Sequence, residues 1–312
     1  NVGYGGGDGG RTYSPGFIRL HTEEGNNSIT SDGTAMEVNN WGEATLTADS
    51  GDNVVRGKDY AALASQGGQI TIDSPQGANY LLADGTAVDI KCGGTAEITI
   101  TGQSVIEGKD AALKTEYSKL PWRTETTEGG TIQVNYDGSS SITGDVYGMN
   151  GGTIHVVPHN EGTMTLTGNI YGADETMTLS DFDEMPAFEL VTSGQGVRTV
   201  NKAWASPVPG GTVNVELSSG SRMTGSADTG SHYARTLLER RKATFDEKLA
   251  EAHDAALAQQ EMQLGHSLTE EEEAQFEADW NQNVASNYDK ETVFRKFEED
   301  AEDTVGTVNI TL

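Results

Sequence analysis

The sequence predicts an all-β fold, a right-handed parallel β-helix, interrupted near its end by an inserted antiparallel α-helical hairpin. Three observations predict it. A Gly-Gly-x-apolar motif recurs along most of the chain, similar segments return at fixed spacing, and one long segment is almost free of glycine. Glycine accounts for 39 of 312 residues and hydrophobic residues for 35 %, against an average glycine usage of about 7 %. Such a composition fits either disorder or a chain that turns very often. The recurring β-branched triplets decide for turning, because disordered chains lack periodic strand signals.

The first element, Gly3–Gly10, reads as a flexible terminus. It is not a phosphate loop, since no strand precedes it and no Lys-Ser/Thr follows. The coils come next, over residues 1–230. The motif appears as GGQITI (67–72), GGTAEITI (93–100), GGTIQV (129–134), GGTIHV (151–156) and GGTVNV (210–215). A second motif, SITGDVYG (141–148), is echoed by TLTGNIYG (165–172), with Gly144 and Gly168 24 positions apart. Gly33 to Gly85 spans 52 positions and Gly57 to Gly108 spans 51, two coils in each case. Short alternating runs punctuated by Gly, Asn, Asp and Ser are strand signals. Self-similarity at 20–50 residues marks a solenoid, propeller or array, and the irregular spacing disfavours a propeller. Two stretches, Lys114–Glu128 and Ala173–Pro209, separate strand motifs and are expected to leave the solenoid as loops.

The hairpin is expected over residues 231–304, which hold one glycine, Gly265, and no proline. Leu238, Phe245, Leu249, Ala252 and Ala256 fall at helical steps, as do Phe276, Trp280, Val284 and Tyr288. Gly265 suits a C-terminal cap, and Thr269 with Glu272 fits a capping box at the restart. Trp280 is expected in the hairpin's own core. Joining Gly230 to Gly306 regenerates a coil sequence, so the β-helix is expected to resume over 305–312.

GGTVNVELSSGSRMTGSADTG followed by GTVNITL resembles the repeats of autotransporter passengers, the pertactin-like and diffuse-adhesin-like β-helices of Gram-negative bacteria. The likeness covers the coils and not the helical insertion. It implies export across the outer membrane, display at or release from the bacterial cell surface, and adhesion to host or bacterial surface proteins or glycans, or self-association.

Charge and chemistry narrow the function classes. A formal net charge of −28 disfavours nucleic acid and anionic membranes, which call for basic patches. No apolar run approaches about 18 residues, so no membrane insertion is expected, and no signal peptide is recognisable at Asn1. Cys92 is the one cysteine, so an intrachain disulfide is impossible. Asp181, Asp183 and Glu184 cluster without a basic residue at one-coil spacing, which argues against a polysaccharide lyase or hydrolase. Asp49-Ser50-Gly51-Asp52 lacks the preceding glycine of a serine-protease nucleophile segment. His155 and His159 lie in a strand followed by Pro158, a poor zinc arrangement. No cofactor or metal is therefore expected, and no enzyme. Binding remains, with Trp122, Tyr117 and Trp204 as the candidate ligand contacts on the two loops, since exposed aromatics supply contact area at low entropic cost. A polysaccharide-acting enzyme and a passive stalk that supports secretion stand as alternatives.

Overall fold

The computed structural model describes residues 16–116, 129–160, 162–173, 209–283 and 290–312. The strands form three parallel sheets arranged as a parallel β-helix-like solenoid. Sheet A contains β1 (Phe17–Thr22), β4 (Glu43–Ala48), β7 (Gln69–Asp73), β10 (Thr95–Ile100), β13 (Thr131–Tyr136), β16 (Thr153–Pro158), β19 (Thr212–Glu216) and β22 (Thr307–Thr311). Sheet B contains β2 (Asn27–Ser31), β5 (Asn53–Gly57), β8 (Asn79–Ala83), β11 (Val105–Gly108), β14 (Ser139–Thr143), β17 (Thr163–Thr167) and β20 (Arg222–Thr224). Sheet C contains β3 (Thr34–Val38), β6 (Tyr60–Ser65), β9 (Thr86–Lys91), β12 (Ala111–Glu116), β15 (Val146–Tyr147), β18 (Ile170–Tyr171) and β21 (Ala227–Asp228). Every third strand returns to the same sheet, so each coil lays one short strand on each face.

Alternation sets which side chains enter the core. In β4, Ala44, Leu46 and Ala48 are buried between partly exposed neighbours. Register then stacks like on like: Leu46, Ile72, Ile98, Val134, Val156 and Val215 form one continuous column through sheet A. Val55, Leu81, Ile106, Ile142 and Leu166 form another in sheet B. All of these are fully buried, and each contributes roughly 1.5–3 kcal/mol on leaving water.

Two polar devices shape the corners. Between sheets A and B the buried Asn27, Asn53 and Asn79 stack at 26-residue intervals. Asn27 Nδ2 donates to Asn53 Oδ1 (2.9 Å) and Asn53 Nδ2 to Asn79 Oδ1 (2.8 Å). Asn27 and Asn53 also donate to a carbonyl in the sheet A strand of the following coil, Thr47 O for Asn27 and Asp73 O for Asn53, so these buried amides are satisfied. Between sheets C and A the chain makes tight turns with two residues at positive φ: Asn40–Trp41, Gln66–Gly67, Cys92–Gly93 and Asn150–Gly151. The next residue donates back across each turn, as Gly68 N to Ser65 O (2.9 Å) and Gly42 N to Asn39 O (3.1 Å). These are type I′ turns, which favour Gly and Asn. In the motifs at 67, 93 and 151 the first glycine is thus the second left-handed residue. The following glycine is crowded by the previous coil, since a Cβ on Gly68 would lie 2.4 Å from Val38 O.

The described residues divide into two compact units, one comprising 16–173, 209–231 and 305–312 and the other 232–304. Gly306 N donates to Thr229 O (2.9 Å) and β22 pairs in register with β19, so coil pairing continues on the far side of the helices. Among the described residues the helices are three, α1 (Ser231–Leu264), α2 (Glu270–Asn283) and α3 (Lys290–Thr304), where two were expected. Val284 and Tyr288 lie outside the described residues. At the α1–α2 junction Gly265 has φ 74°, while Thr269 N donates to Glu272 Oε2 (2.9 Å) and Glu272 N to Thr269 Oγ1 (3.4 Å), a capping box.

Along α1, Ala256 packs with Phe276 and Trp280 of α2, and Phe245 packs with Val293 and Phe297 of α3. Arg241 and Asp300, each 2 % exposed, form an ion pair at 3.1 Å, and Lys296 reaches the other Asp300 oxygen at 2.7 Å. Among the described residues no helix is long and apolar enough to cross a membrane.

One expected boundary is corrected. Lys114–Glu116 is not the start of a loop but the end of β12, with Lys114, Thr115 and Glu116 paired to Asp89, Ile90 and Lys91. The inward position is Thr115, fully buried, whose Oγ1 accepts from Met149 N (3.0 Å). A polar residue at a core position concealed the strand.

Candidate functional site

The three predicted ligand contacts, Tyr117, Trp122 and Trp204, lie outside the described residues, as do Asp181, Asp183 and Glu184. Among the described residues no group of three or more His, Cys, Asp or Glu is placed to hold a metal ion. His155 lies on β16 with Nδ1 3.4 Å from Asn214 Nδ2, and His159 follows that strand. The Asp49–Asp52 string forms the turn between β4 and β5.

The concentration of chemistry in the solenoid is the outer face of sheet C. Register runs Glu37, Leu63, Asp89, Lys114, Tyr147, Tyr171 and Asp228 up one outward column. Beside it, Lys91 pairs with Glu116. Asp89, Lys91, Lys114 and Glu116 therefore occupy a square in which opposite charges alternate along and across the strands. Lys91 Nζ lies 3.2 Å from Asp89 Oδ2 and also contacts Glu116, whose second oxygen is 2.5 Å from Lys114 Nζ. The Lys91 ammonium sits 5.3 Å from the Tyr60 ring centre, within cation–π range.

Burial sets the protonation states of this square. Asp89 is 1 % exposed and its Oδ1 has no hydrogen-bond partner. Desolvation, reinforced by Glu116 and opposed by Lys91 and Lys114, pushes its carboxyl up to about 7. Burial also disfavours the Glu116 carboxylate, but hydrogen bonds from Lys114 and Lys91 outweigh it and hold this group below its ordinary range. Burial similarly works against the Lys91 ammonium, yet Asp89 and Glu116 carry its pKa above the usual lysine value. The two carboxyls thus differ: Glu116 is a neutralised anion, whereas Asp89 can hold or release a proton near neutrality.

Farther up the column the Tyr147 and Tyr171 rings stack with centroids 4.8 Å apart and 9° between planes. That spacing is the separation of neighbouring strands, so register alone places the second ring on the first. Tyr147 Oη donates to Asp145 Oδ2 (3.3 Å), which fixes one ring. Together the partly exposed Tyr147 and Tyr171 rings and the Lys91, Lys114 and Glu116 side chains make a face that can offer aromatic and charged surface to one ligand, while Asp89 is buried.

A concave surface, about 460 Å³, lies at the sheet B–C turns and is lined by Asp32, Arg56, Lys58, Asp84, Glu107 and Lys109 among others. Lys109 binds Asp84 directly and lowers its pKa. Charges of both signs repeat on these turns at coil spacing, and a solvated surface accounts for them.

Sequence reasoning missed the sheet C face although its signals were present. Asp89 and Lys114, like Lys91 and Glu116, are 25 positions apart, and Tyr147 and Tyr171 are 24 apart. Comparison of the chain with known protein families, with curated proteins and with solved structures gives no match.

Proposed function

We propose that this chain is part of a bacterial adhesin of the autotransporter-passenger type, exported across the outer membrane and acting at the cell surface or after release. In this reading the coils form a right-handed β-helix, a handedness that the strong chirality preference of parallel crossovers favours. The three helices form a hairpin inserted at one turn, with α1 as one arm and α2 with α3 as the other. The solenoid presents its sheet C outer face to a host or bacterial surface protein or glycan, or to a second copy. One observation carries the reading: stacked Tyr147 and Tyr171 adjoin the Asp89–Lys91–Lys114–Glu116 square on a single face. Aromatic and charged groups in register are a binding surface rather than a requirement of the core. Tyr117, Trp122 and Trp204 belong to the proposal as further contacts. The net charge of −28 supports solubility at high surface density.

The specific observation favouring the alternative, a polysaccharide-acting enzyme, is Asp89, a buried carboxyl titrating near 7 as a general acid would. Against it, Lys91 and Lys114 already engage Glu116, so no free second carboxylate stands beside Asp89 in the square. Incubating the purified chain with host and bacterial cells, and separately with bacterial and host polysaccharides, separates the readings. Saturable cell binding without release of reducing or unsaturated ends is the expected result. Polysaccharide turnover without cell binding would favour the enzyme, and neither activity would favour a stalk.

A further inference from the structure

Trp41 stands where the fold calls for glycine. In the type I′ turns between sheets C and A, the second left-handed residue is Gly67, Gly93 and Gly151 in three coils, but Trp41 with φ 63° in the fourth. A side chain with a Cβ is strained there, and strain held in place by its surroundings clusters at functional sites. Strain alone decides nothing, but the side chain adds an independent observation. Trp41 is 72 % exposed, so it is not there to fill a core. Its six-membered ring rests on the next turn: a Cβ on Gly67 would come within 2.4 Å of Trp41 Cε3 and 2.7 Å of Cδ2 and Cζ3. Trp41 N donates to Gln66 O (3.0 Å), tying the two turns together. One part of the indole is seated on backbone and the rest is offered to solvent.

Polar groups are fixed on the same two turns. Asn39 Nδ2 donates to Glu37 Oε1 (2.7 Å), and Ser65 Oγ donates to Asn39 Oδ1. Asn40 is exposed beside the ring. A seated aromatic plane flanked by oriented amide, hydroxyl and carboxylate groups matches the apolar face and hydroxyl rim of a pyranose. Charge selects among sugars. Glu37 and Glu43 flank the turn, and Lys91, next on the Ser65 register, is engaged by Asp89 and Glu116. Sialylated, uronic and sulfated sugars would meet repulsion.

We propose that Trp41, seated on Gly67 and flanked by Asn39, Asn40 and Ser65, is a binding site for a neutral pyranose glycan. The site lies outside the Tyr147–Tyr171 face and does not depend on the adhesin reading. Its test compares the chain, Trp41→Gly and, as a control at an exposed side chain of the helical unit, Met262→Ala, on an array of neutral glucose-, galactose- and N-acetylglucosamine-based oligosaccharides with their sialylated and sulfated counterparts. Thermal midpoints and oligomeric state are measured alongside. Expected is binding of at least one neutral oligosaccharide, weakened at least tenfold in Trp41→Gly and unchanged in Met262→Ala. The melting midpoint of Trp41→Gly should be equal or higher, because glycine relieves the turn. Three outcomes would overturn the proposal: no neutral glycan bound, equal binding by Trp41→Gly, or a lower melting midpoint showing that the indole is a structural brace. Loss of self-association instead of glycan binding would also overturn it, by making Trp41 a contact between copies.

Discussion

The solenoid and the helical unit are stabilised by different physics. In the solenoid one column of six side chains, Leu46 to Val215, is fully buried, and its strands repeat one register. In the helical unit α1 runs 34 residues yet buries five, one of them Arg241. Two small aromatic clusters and a set of ion pairs hold it: Arg241 with Asp300, Lys242 with Glu298, Lys290 with Asp246, and His253 with Glu277. The exposed pairs are each worth about 0–1 kcal/mol, so the buried Arg241–Asp300 pair and the Phe and Trp contacts dominate. A repeating core leaves the outer face of every strand free to vary, and that is where the solenoid's candidate chemistry lies.

The largest effect is expected in the solenoid core. Leu81→Ala should cost about 2–5 kcal/mol, seen as a lower denaturant midpoint with amide protection reduced across β5, β8 and β11. An effect under 1 kcal/mol would mean that coils repack independently of register. Next, Arg241→Leu strands Asp300 with Lys296 as its remaining cation and should cost about 3 kcal/mol. The loss should appear as faster hydrogen exchange in α1 and α3 while the strand core keeps its protection. Equal loosening of both regions would erase the distinction drawn above.

A smaller, pH-dependent effect is expected at Asp89. Its carboxyl is held near 7 when folded and near 3.8 when unfolded, so between those values the folded state binds more protons. Stability should therefore fall as pH rises from about 4 to 7 through this group. Glu116 acts in the opposite sense only at lower pH, since its depressed pKa contributes stability lost as pH falls below its ordinary range. Asp89→Asn should flatten the decline, so that the variant gains stability over the intact chain at pH 8 relative to pH 4. Parallel pH–stability curves for the two proteins would show that Asp89 is not the titrating group.

How far the sequence could be read follows the same division. Gly-Gly punctuation and spacings of 24, 51 and 52 residues expose the coils, because type I′ turns and crowded corners both demand glycine. The capping box at Thr269 and Glu272 was legible because it is local. Lys114–Glu116 was not, since the buried Thr115 broke the apolar alternation that marks a strand. The sheet C face was hidden for a different reason. Asp89, Lys91, Lys114 and Glu116 look like ordinary solvent-facing positions until register sets them side by side. Trp41 was masked by the same habit, because WGEATL departs from the Gly-Gly motif at the position that makes it informative.

The central claim, that the outer face of sheet C binds a surface partner, is tested most directly by the affinity of the chain for cells with and without its ring pair. Tyr147→Ala combined with Tyr171→Ala removes outward-facing rings and leaves the inward Val146 and Ile170 in place. Fluorescently labelled intact and variant chains are titrated onto host and bacterial cells, with circular dichroism confirming the same fold. The account predicts saturable binding by the intact chain and at least a tenfold weaker apparent Kd for the double variant. Equal binding by two equally folded proteins would contradict it.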